Sequence, residues 1–166
     1  TVIADNPQPG QRFVKWQAEG VALEDASQAQ VQFAMPANAV ALTATYEEIP
    51  VISVMDTASG IAISGRITSQ AGLSVKEFAE TDAGYAEMKD FLGGQDVIGA
   101  YVISGLAYDG AVTLTFPTDT KWDGKMLTIL QKRPDGSIQM SHAFAEEGKV
   151  SVKAKELSAF LIGTWQ

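Results

Sequence analysis

Few residues in this 166-residue chain have the types and spacing that support catalysis. Ser141 is followed directly by His142, the only histidine in the chain. Adjacent residues of a strand point to opposite faces, so Ser141 cannot readily use His142 as its general base. His142 also alternates with Phe144, which is typical of an ordinary strand position. We therefore predict no catalytic residues and no enzyme activity.

Acidic residues offer a second kind of chemistry. A glycosidase needs two carboxyl groups about 5–9 Å apart across a cleft, but no insertion here is long enough to build a cleft, so we interpret these residues as solvated turn acids. A calcium loop needs more oxygen ligands than DTKWDG supplies with Asp119 and Asp123, which leaves at most a weak cation site. One histidine and no cysteine exclude thiolate zinc sites and multi-histidine sites. We predict no metal and no cofactor. The acids considered are Asp119, Asp123, Glu146 and Glu147.

Trp122 is the aromatic residue best placed for ligand binding. In PTDTKWDGK it lies in a turn with Asp119 and Asp123, where its ring could stack on a sugar. The alternative, which we favour, is that Trp122 folds back over the rim of a sandwich and covers its core. Trp122, Asp119 and Asp123 are the predicted ligand-binding residues, and Trp165 is expected in the core or at a junction.

Composition and charge exclude several classes of partner. The chain is 46% hydrophobic and 19% charged, which is typical of a globular protein, and its net charge is −8. A nucleic-acid-binding protein needs a basic stripe, which is missing here, and anionic membranes are disfavoured for the same reason. No apolar run approaches the roughly 20 residues of a membrane span. With no signal peptide visible, we expect a soluble mature chain or fragment that inserts into no membrane.

The elements that would hold these residues are mostly strands. In residues 1–48, alternating apolar runs over 31–35 and 40–46 flank the turn PANA at 36–39. Alternation with period two around such a turn predicts a hairpin with one buried face. EEIP at 47–50 marks a junction, after which the pattern starts again.

Residues 49–166 continue in the same style. The turn signals ASG, YDG, WDG, PDG and EEG separate most of the strands, and Asp–Gly favours two-residue hairpin turns. Strands at a spacing of roughly 8–12 residues predict a β-sandwich or barrel. The predicted strands are 51–56, 60–67, 73–79, 97–106, 111–116, 125–132, 137–144, 148–154 and 158–164.

One stretch of this segment has helical spacing. TDAGYAEMKDFLGG places apolar residues three and four apart, with Thr81 or Asp82 as the N-cap and Gly93 as a left-handed C-cap. We expect one short helix that caps the end of the sandwich.

Phe13 and Trp16 form an aromatic pair near the start of the chain. They are three residues apart, so a regular strand would place them on opposite faces, and a bulge or turn is needed to bring both inward. A platform for stacking sugar is one interpretation. We prefer the other, in which Trp16 fills the core of a domain of about 50 residues that buries too little surface without it.

The same residues carry a resemblance to a known family. GQRFVKW at 10–16, an acidic loop and VQFAMPANAVALTATY at 31–46 resemble the divergent internalin B-type repeat, with its G-x-x-F-x-x-W, M-P and V-x-L-T-A-x-[FY] pattern. The resemblance implies a β-grasp-like fold with the Phe and Trp in its core, in tandem modules of secreted or wall-anchored bacterial surface proteins. Only TVIAD precedes the turn at 5–10, so we expect a repeat truncated at its start. The matching positions are Gly10, Phe13, Trp16, Phe33, Met35, Pro36, Val40, Leu42, Thr43, Ala44 and Tyr46.

The second segment resembles the β-rich modules that follow such repeats in Gram-positive surface proteins. The likeness is an ordered series of strand and turn residues over about fifty positions. These residues are Val112, Leu114, Phe116, Pro117, Trp122, Asp123, Gly124, Asp135, Gly136, Gly148, Val150, Ser158 and Phe160.

These observations predict a mainly β chain with two modules: an internalin B-type, β-grasp-like repeat over 1–48, and an Ig-like β-sandwich with one short helix over 49–166. The predicted function is a non-catalytic, extracellular module of a secreted or cell-wall-anchored bacterial surface protein, acting as a spacer or adhesion domain. Its expected partners are neighbouring domains of a larger surface protein and a host or polysaccharide ligand. The alternative is a carbohydrate-binding module attached to a secreted glycosidase.

Overall fold

The computed structural model describes residues 1–165, and the chain divides after Pro50 into two compact units. We call residues 1–50 the N-terminal unit and residues 51–165 the C-terminal unit. Ile49 belongs to the first of these, because it is buried there and its backbone N–H donates to the Gly10 carbonyl at 2.8 Å. Antiparallel sheets with one short helix make up the described residues, which confirms the mainly β class predicted from the sequence.

The N-terminal unit holds two small antiparallel sheets, each with two strands. The pairs are β1 (Val2–Ile3) with β3 (Gln30–Val31), and β2 (Gln11–Glu19) with β4 (Ala41–Glu48).

This pairing shows that the hairpin predicted over residues 31–46 is wrong. The two alternating runs pair with different strands, and residues 32–40 between β3 and β4 form no strand. The PANA turn packs against the end of β2 instead, where the Asn38 side-chain amide donates to the Gly20 carbonyl at 2.9 Å. Alternation correctly indicated the inward face of β4 but could not reveal its distant partner strand.

A β-bulge in β2 brings Phe13 and Trp16 together. Phe13 pairs with Tyr46 and Lys15 pairs with the preceding residue of β4, so Val14 is the extra residue of the bulge. The Phe13 ring lies edge-on to both Trp16 and Tyr46, with centroids 5.9 Å apart in each case. Trp16 is only 6% exposed, which confirms its predicted role in filling the small core.

The strands of the C-terminal unit form two sheets over residues 51–165. The strand order is β11-β10-β13-β8-β7 in the five-stranded sheet and β12-β9-β6-β5 in the four-stranded sheet, and all pairs are antiparallel. The elements are β5 (Ile52–Met55), β6 (Ala62–Ser69), β7 (Ser74–Glu77), α1 (Tyr85–Phe91), β8 (Val97–Ser104), β9 (Ala107–Pro117), β10 (Met126–Lys132), β11 (Ile138–Phe144), β12 (Lys149–Ala154) and β13 (Ala159–Thr164).

The two sheets enclose the main core between them. Phe116 of the four-stranded sheet is fully buried, and its ring lies 5.7 Å from that of Tyr101 and 5.6 Å from that of Phe160, both in the five-stranded sheet. Inward-facing aliphatic residues of both sheets complete this cluster. The arrangement is a β-sandwich, as the strand spacing predicted.

The helix α1 lies on a different surface from the one predicted. Leu130 and Leu161 neighbour inward-facing residues on β10 and β13, so they point to the outer face of the five-stranded sheet, where they form a second core with Met88 of α1. The helix thus covers a sheet face rather than capping the end of the sandwich. Lys132 of β10 also pairs with Glu87 of α1 at 2.6 Å.

The predicted helix boundaries need one correction. The N-cap is Gly84, in the left-handed conformation, and not Thr81 or Asp82. The Asp82 carboxylate accepts the Ala79 N–H at 2.8 Å, so it stabilises the preceding turn and is not free to cap the helix. Gly93 does adopt the left-handed conformation, one residue beyond the C-cap.

The YDG sequence at 108–110 is part of a strand and not a hairpin turn. Strand β9 runs through it, and the register with β6 shifts between Ser64 and Arg66, whose partners on β9 are Thr113 and Asp109. The extra residues of β9 make a bulge, which explains why a glycine with positive φ occurs within a strand.

Candidate functional site

The turn that holds the predicted ligand-binding residues lies between β9 and β10. A short 3-10 turn, Thr120–Trp122, begins after Asp119, whose carboxylate accepts the Lys121 N–H at 3.0 Å. That hydrogen bond is the main cause of the lowered pKa of Asp119, and the Lys121 ammonium at 3.4 Å acts in the same direction. The Asp119 carboxylate therefore stabilises the turn itself.

Asp123 joins this turn to the loop after β11. Its carboxylate accepts the Gly148 N–H at 2.8 Å, and the Gly124 N–H donates to the Ala145 carbonyl at 2.8 Å. In the same loop, Glu147 has a positive φ of 50°, which is uncommon for a residue with a side chain. The two acids flanking Trp122 thus each hold a backbone amide in place.

Trp122 itself is half-buried and packs against the main core of the sandwich. The ammonium groups of Lys121 and Lys125 lie 5.4 and 5.1 Å from the centre of its ring, within the range of cation–π contacts. A sugar that stacked on this ring would lie close to both ammonium groups. The three predicted residues lie together in one turn, which stays a predicted ligand site.

Ser141 and His142 are placed on a regular strand, β11, as expected. His142 is exposed, its Nδ1 is 3.4 Å from the Thr128 hydroxyl, and its ring lies edge-on to that of Trp165 at 4.3 Å. Strand alternation points Ser141 to the opposite face. The structure thus provides no hydrogen bond between the two residues.

An exposed aromatic surface next to His142 is the feature that sequence reasoning missed. Met140 and Phe144 alternate with His142 on the outer face of β11, and Trp165 follows β13. Phe144 is 56% exposed and Trp165 is 49% exposed, so Trp165 does not lie in a core, which was one of the two places expected for it. We call Met140, His142, Phe144 and Trp165 the outer aromatic patch. The alternation over 140–144 could have indicated it, but the sequence does not show that β11 would be an edge strand.

The other two acidic residues considered, Glu146 and Glu147, are both exposed. Within residues 1–165 there is no group of three or more His, Asp or Glu side chains that could hold a metal ion. Glu146 and Glu147 lie in the exposed loop after β11, at the edge of a shallow groove with Lys149.

The N-terminal unit uses its aromatic residues for packing. The Trp16 indole N–H donates to the Gln28 carbonyl at 3.0 Å, and its backbone N–H donates to the Ala26 carbonyl at 2.8 Å. The indole thereby ties β2 to the acidic loop, with Phe13 and Tyr46 packed beside it. This ordered set of residues corresponds to a known family. Residues 1–50 match the family model of the divergent InlB B-repeat domain.

The match confirms the InlB B-type repeat assigned to the first segment from its Phe, Trp and Met-Pro residues. For residues 1–50, this family suggests a bacterial surface-protein module. No curated protein and no solved structure matches the chain. The matched residues end at Pro50, so the likeness of the β-sandwich to modules of Gram-positive surface proteins depends on its own residues alone. None of the helices in the described residues is long and apolar enough to span a bilayer.

Proposed function

We propose that this chain is a non-catalytic, extracellular part of a secreted or cell-wall-anchored bacterial surface protein, where it acts as a spacer and adhesion domain. The observation that carries this proposal is the InlB B-type repeat in residues 1–50, whose conspicuous aromatic residues are used in packing. The partners in this role are neighbouring domains of a larger surface protein and a host or polysaccharide ligand.

The chemistry of the C-terminal unit supports a role without catalysis. Asp119 and Asp123 hold turns through backbone amides, and Ser141 faces away from His142. A net charge of −8 on a chain with many short sheets favours solubility of an extended protein. These features are typical of modules that separate or present other domains.

The location can be tested on intact cells of the bacterium that makes the protein. Antibodies raised against residues 1–166 should label intact cells or culture medium, and brief trypsin treatment of intact cells should remove the cell-bound signal. A cytoplasmic protein serves as the control for lysis. Signal that appears only after lysis would contradict the proposed location.

The adhesive role needs a separate test. Beads coated with the chain should adhere to surfaces of mucin or bacterial polysaccharide more strongly than beads coated with albumin, and equal adhesion of these two bead types would contradict the adhesive role. Beads coated with Trp16→Ala, in which the N-terminal unit is expected to be unfolded, show whether that unit contributes. Adhesion equal to that of the original chain would leave only the spacer role for the N-terminal unit.

A carbohydrate-binding module attached to a secreted glycosidase is the second candidate. The observation in its favour is the half-exposed Trp165 beside His142, since exposed aromatic rings with polar neighbours stack on sugars. Intrinsic tryptophan fluorescence should then shift on titration with a polysaccharide, and Trp165→Phe should abolish the shift. A shift that disappears instead in Trp122→Phe would move the site to the predicted turn. No shift with any glycan would count against this candidate.

A further inference from the structure

A polar cleft opens where the two sheets of the sandwich separate at one end. Its volume is about 480 Å³, and it lies between the β10–β11 hairpin on one side and the end of β12 on the other. This volume is within the range of about 300–1,000 Å³ that is usual for small-molecule sites. We call it the basic cleft, and the residues used below are Gln131, Arg133, Gln139, Lys153, Lys155 and Glu156.

Three basic residues and two acidic residues, Asp135 and Glu156, line the cleft, which is a small excess of positive charge on an acidic protein. The basic residues are Arg133, Lys153 and Lys155, three of the 12 in a chain whose net charge is −8. Through residue 165, neither lysine ammonium makes a hydrogen bond or ion pair with another side chain. Two lysines that line a cleft and have no side-chain partner are available to an anion there.

Arg133 is held in position by its neighbours. One of its terminal nitrogens donates to the side-chain oxygen of Gln139 on β11. The nearby Asp135 carboxylate is already engaged by the hydroxyl and the N–H of Ser137, at 2.6 and 2.8 Å. Asp135 also interacts electrostatically with Arg133 but forms no ion pair with it among the residues described. The guanidinium therefore keeps donors available, which suits an oxyanion such as a carboxylate.

The floor of the cleft presents an oriented hydrogen-bond acceptor. Gln131 is buried, and its amide nitrogen donates to the Glu156 carbonyl at 2.8 Å and to the Ser158 hydroxyl at 3.1 Å. Both bonds use the nitrogen, so the amide oxygen, Oε1, has no hydrogen-bond partner among the residues described. This oxygen is therefore open to the cleft and can accept a hydroxyl from a ligand.

We propose that the basic cleft binds an acidic sugar unit, with the sugar carboxylate against Arg133, Lys153 and Lys155 and its hydroxyl groups donating to Gln131 Oε1 and the Glu156 carboxylate. This assignment rests on the proposed adhesive function, because it names the class of polysaccharide that the module contacts. The cleft combines cations with acceptors, and a sugar acid combines a carboxylate with several hydroxyl donors.

The lining of the cleft disfavours two other kinds of anion, nucleotides and acidic peptides. Its apolar side chains are those of Ala111 and Ala154, so no aromatic ring is present to stack on a nucleotide base. An acidic peptide side chain would satisfy the cations but would bring no hydroxyl donor to Gln131. A hydroxylated carboxylate satisfies both sets of groups.

The test is isothermal titration calorimetry of the complete chain with trigalacturonate as the probe. We expect saturable binding that weakens when NaCl is raised from about 0.02 M to about 0.3 M, because partly exposed ion pairs are screened. The Lys153→Gln/Lys155→Gln double variant should bind at least tenfold more weakly. Lys149→Gln is the matched control, because Lys149 lies on the same strand but outside the cleft, and it should bind as the original chain does.

Three further ligands separate the alternatives. Maltotriose, a neutral sugar, should not bind at the cleft, and acetate should bind at least tenfold more weakly than trigalacturonate. Equal binding of acetate, tighter binding of triglutamate, or unchanged binding in the double lysine variant would each overturn the proposal. Since Trp165→Phe leaves the cleft intact, binding that persists in this variant assigns the sugar to the cleft and not to the outer aromatic patch. Failure here with successful adhesion to a neutral polysaccharide would refute the acidic-sugar site and leave the adhesive function standing.

Discussion

Replacing Trp16 with alanine is expected to unfold the N-terminal unit and leave the C-terminal unit folded. Trp16 is 6% exposed and is the largest side chain in the core of a unit of 50 residues. Its indole contacts the Phe13 ring and donates a hydrogen bond to the Gln28 carbonyl. One substitution therefore removes both the packing and the bond that holds the acidic loop.

The expected magnitude follows from the buried area. A buried tryptophan removes about 150–250 Å² from water, which at about 25 cal/mol per Å² is about 4–6 kcal/mol. Residual burial in the unfolded chain lowers this to about 3–5 kcal/mol, and the lost hydrogen bond adds about 1 kcal/mol. A unit of this size has only about 3–5 kcal/mol of stability in total. The loss therefore equals or exceeds the free energy of unfolding of the unit.

Calorimetry of the complete chain measures the loss of stability of the N-terminal unit directly, because two compact units need not unfold in one step. The variant should lose the transition of the N-terminal unit, and amide resonances of residues 1–50 should collapse to random-coil positions. Met35→Ala is the matched control, since Met35 is 75% exposed in the same unit and should change stability by less than about 0.5 kcal/mol. A folded N-terminal unit that loses less than about 1.5 kcal/mol in Trp16→Ala would refute the reasoning.

Three more predictions concern the C-terminal unit. Phe116→Ala should lower the free energy of unfolding of that unit by about 3–5 kcal/mol, because its fully buried ring contacts the rings of Tyr101 and Phe160. Urea titrations would measure the loss, and a loss smaller than that of a variant at an exposed site would contradict the prediction. Gly105→Ala should lower the free energy of unfolding more than Gly136→Ala does. Both glycines have positive φ, which strains an alanine by about 1–2 kcal/mol, but only at Gly105 would the new Cβ overlap a neighbouring backbone oxygen. Equal losses in the two variants would refute the packing argument. Ser59→Ala should raise the pKa of Asp56, which the Ser59 hydroxyl and N–H hold below its ordinary value of 3.8. Because the folded-state pKa is lowered, the contribution of Asp56 to stability is present above pH 3.8 and is lost as the pH falls through the folded-state pKa. NMR titrations of the Asp56 carboxyl group in the original chain and in Ser59→Ala would measure the shift. An unchanged pKa of Asp56 would contradict the prediction.

Local patterns in the sequence predicted the strands of the C-terminal unit well. The predicted strands 125–132 and 137–144 correspond to β10 and β11, and the PDG sequence between them forms the connecting turn. Such hairpins are specified by residues that are close in sequence, so alternation and turn chemistry suffice. The sequence also indicated that a bulge or a turn must bring Phe13 and Trp16 to one face, and the structure shows a bulge.

The errors arose where distant parts of the chain decide the outcome. The runs at 31–35 and 40–46 have good alternation, but their partner strands lie earlier in the sequence. YDG favours a turn locally, yet pairing with β6 on one side and β12 on the other keeps β9 continuous as a bulged strand. Asp82 is a suitable N-cap by type, but its carboxylate forms a hydrogen bond with Ala79 before the helix begins. Exposure of Trp165 depends on what covers the sheet, and α1 covers only part of it.

The three tryptophans show why side-chain type alone could not locate a ligand site. Trp16 is buried, Trp122 is half-buried against the main core, and Trp165 is half-exposed, although the acids beside Trp122 made it the strongest candidate in the sequence. In the structure, the two candidate ligand sites lie on opposite faces of β11. Met140 belongs to the outer aromatic patch, and the adjacent Gln139 lines the basic cleft. Because neighbouring strand residues point to opposite faces, a ligand at one site does not obstruct the other. Substitutions in the patch and in the cleft should therefore affect binding independently, and a polysaccharide bound at both would be held from two sides of a single edge strand.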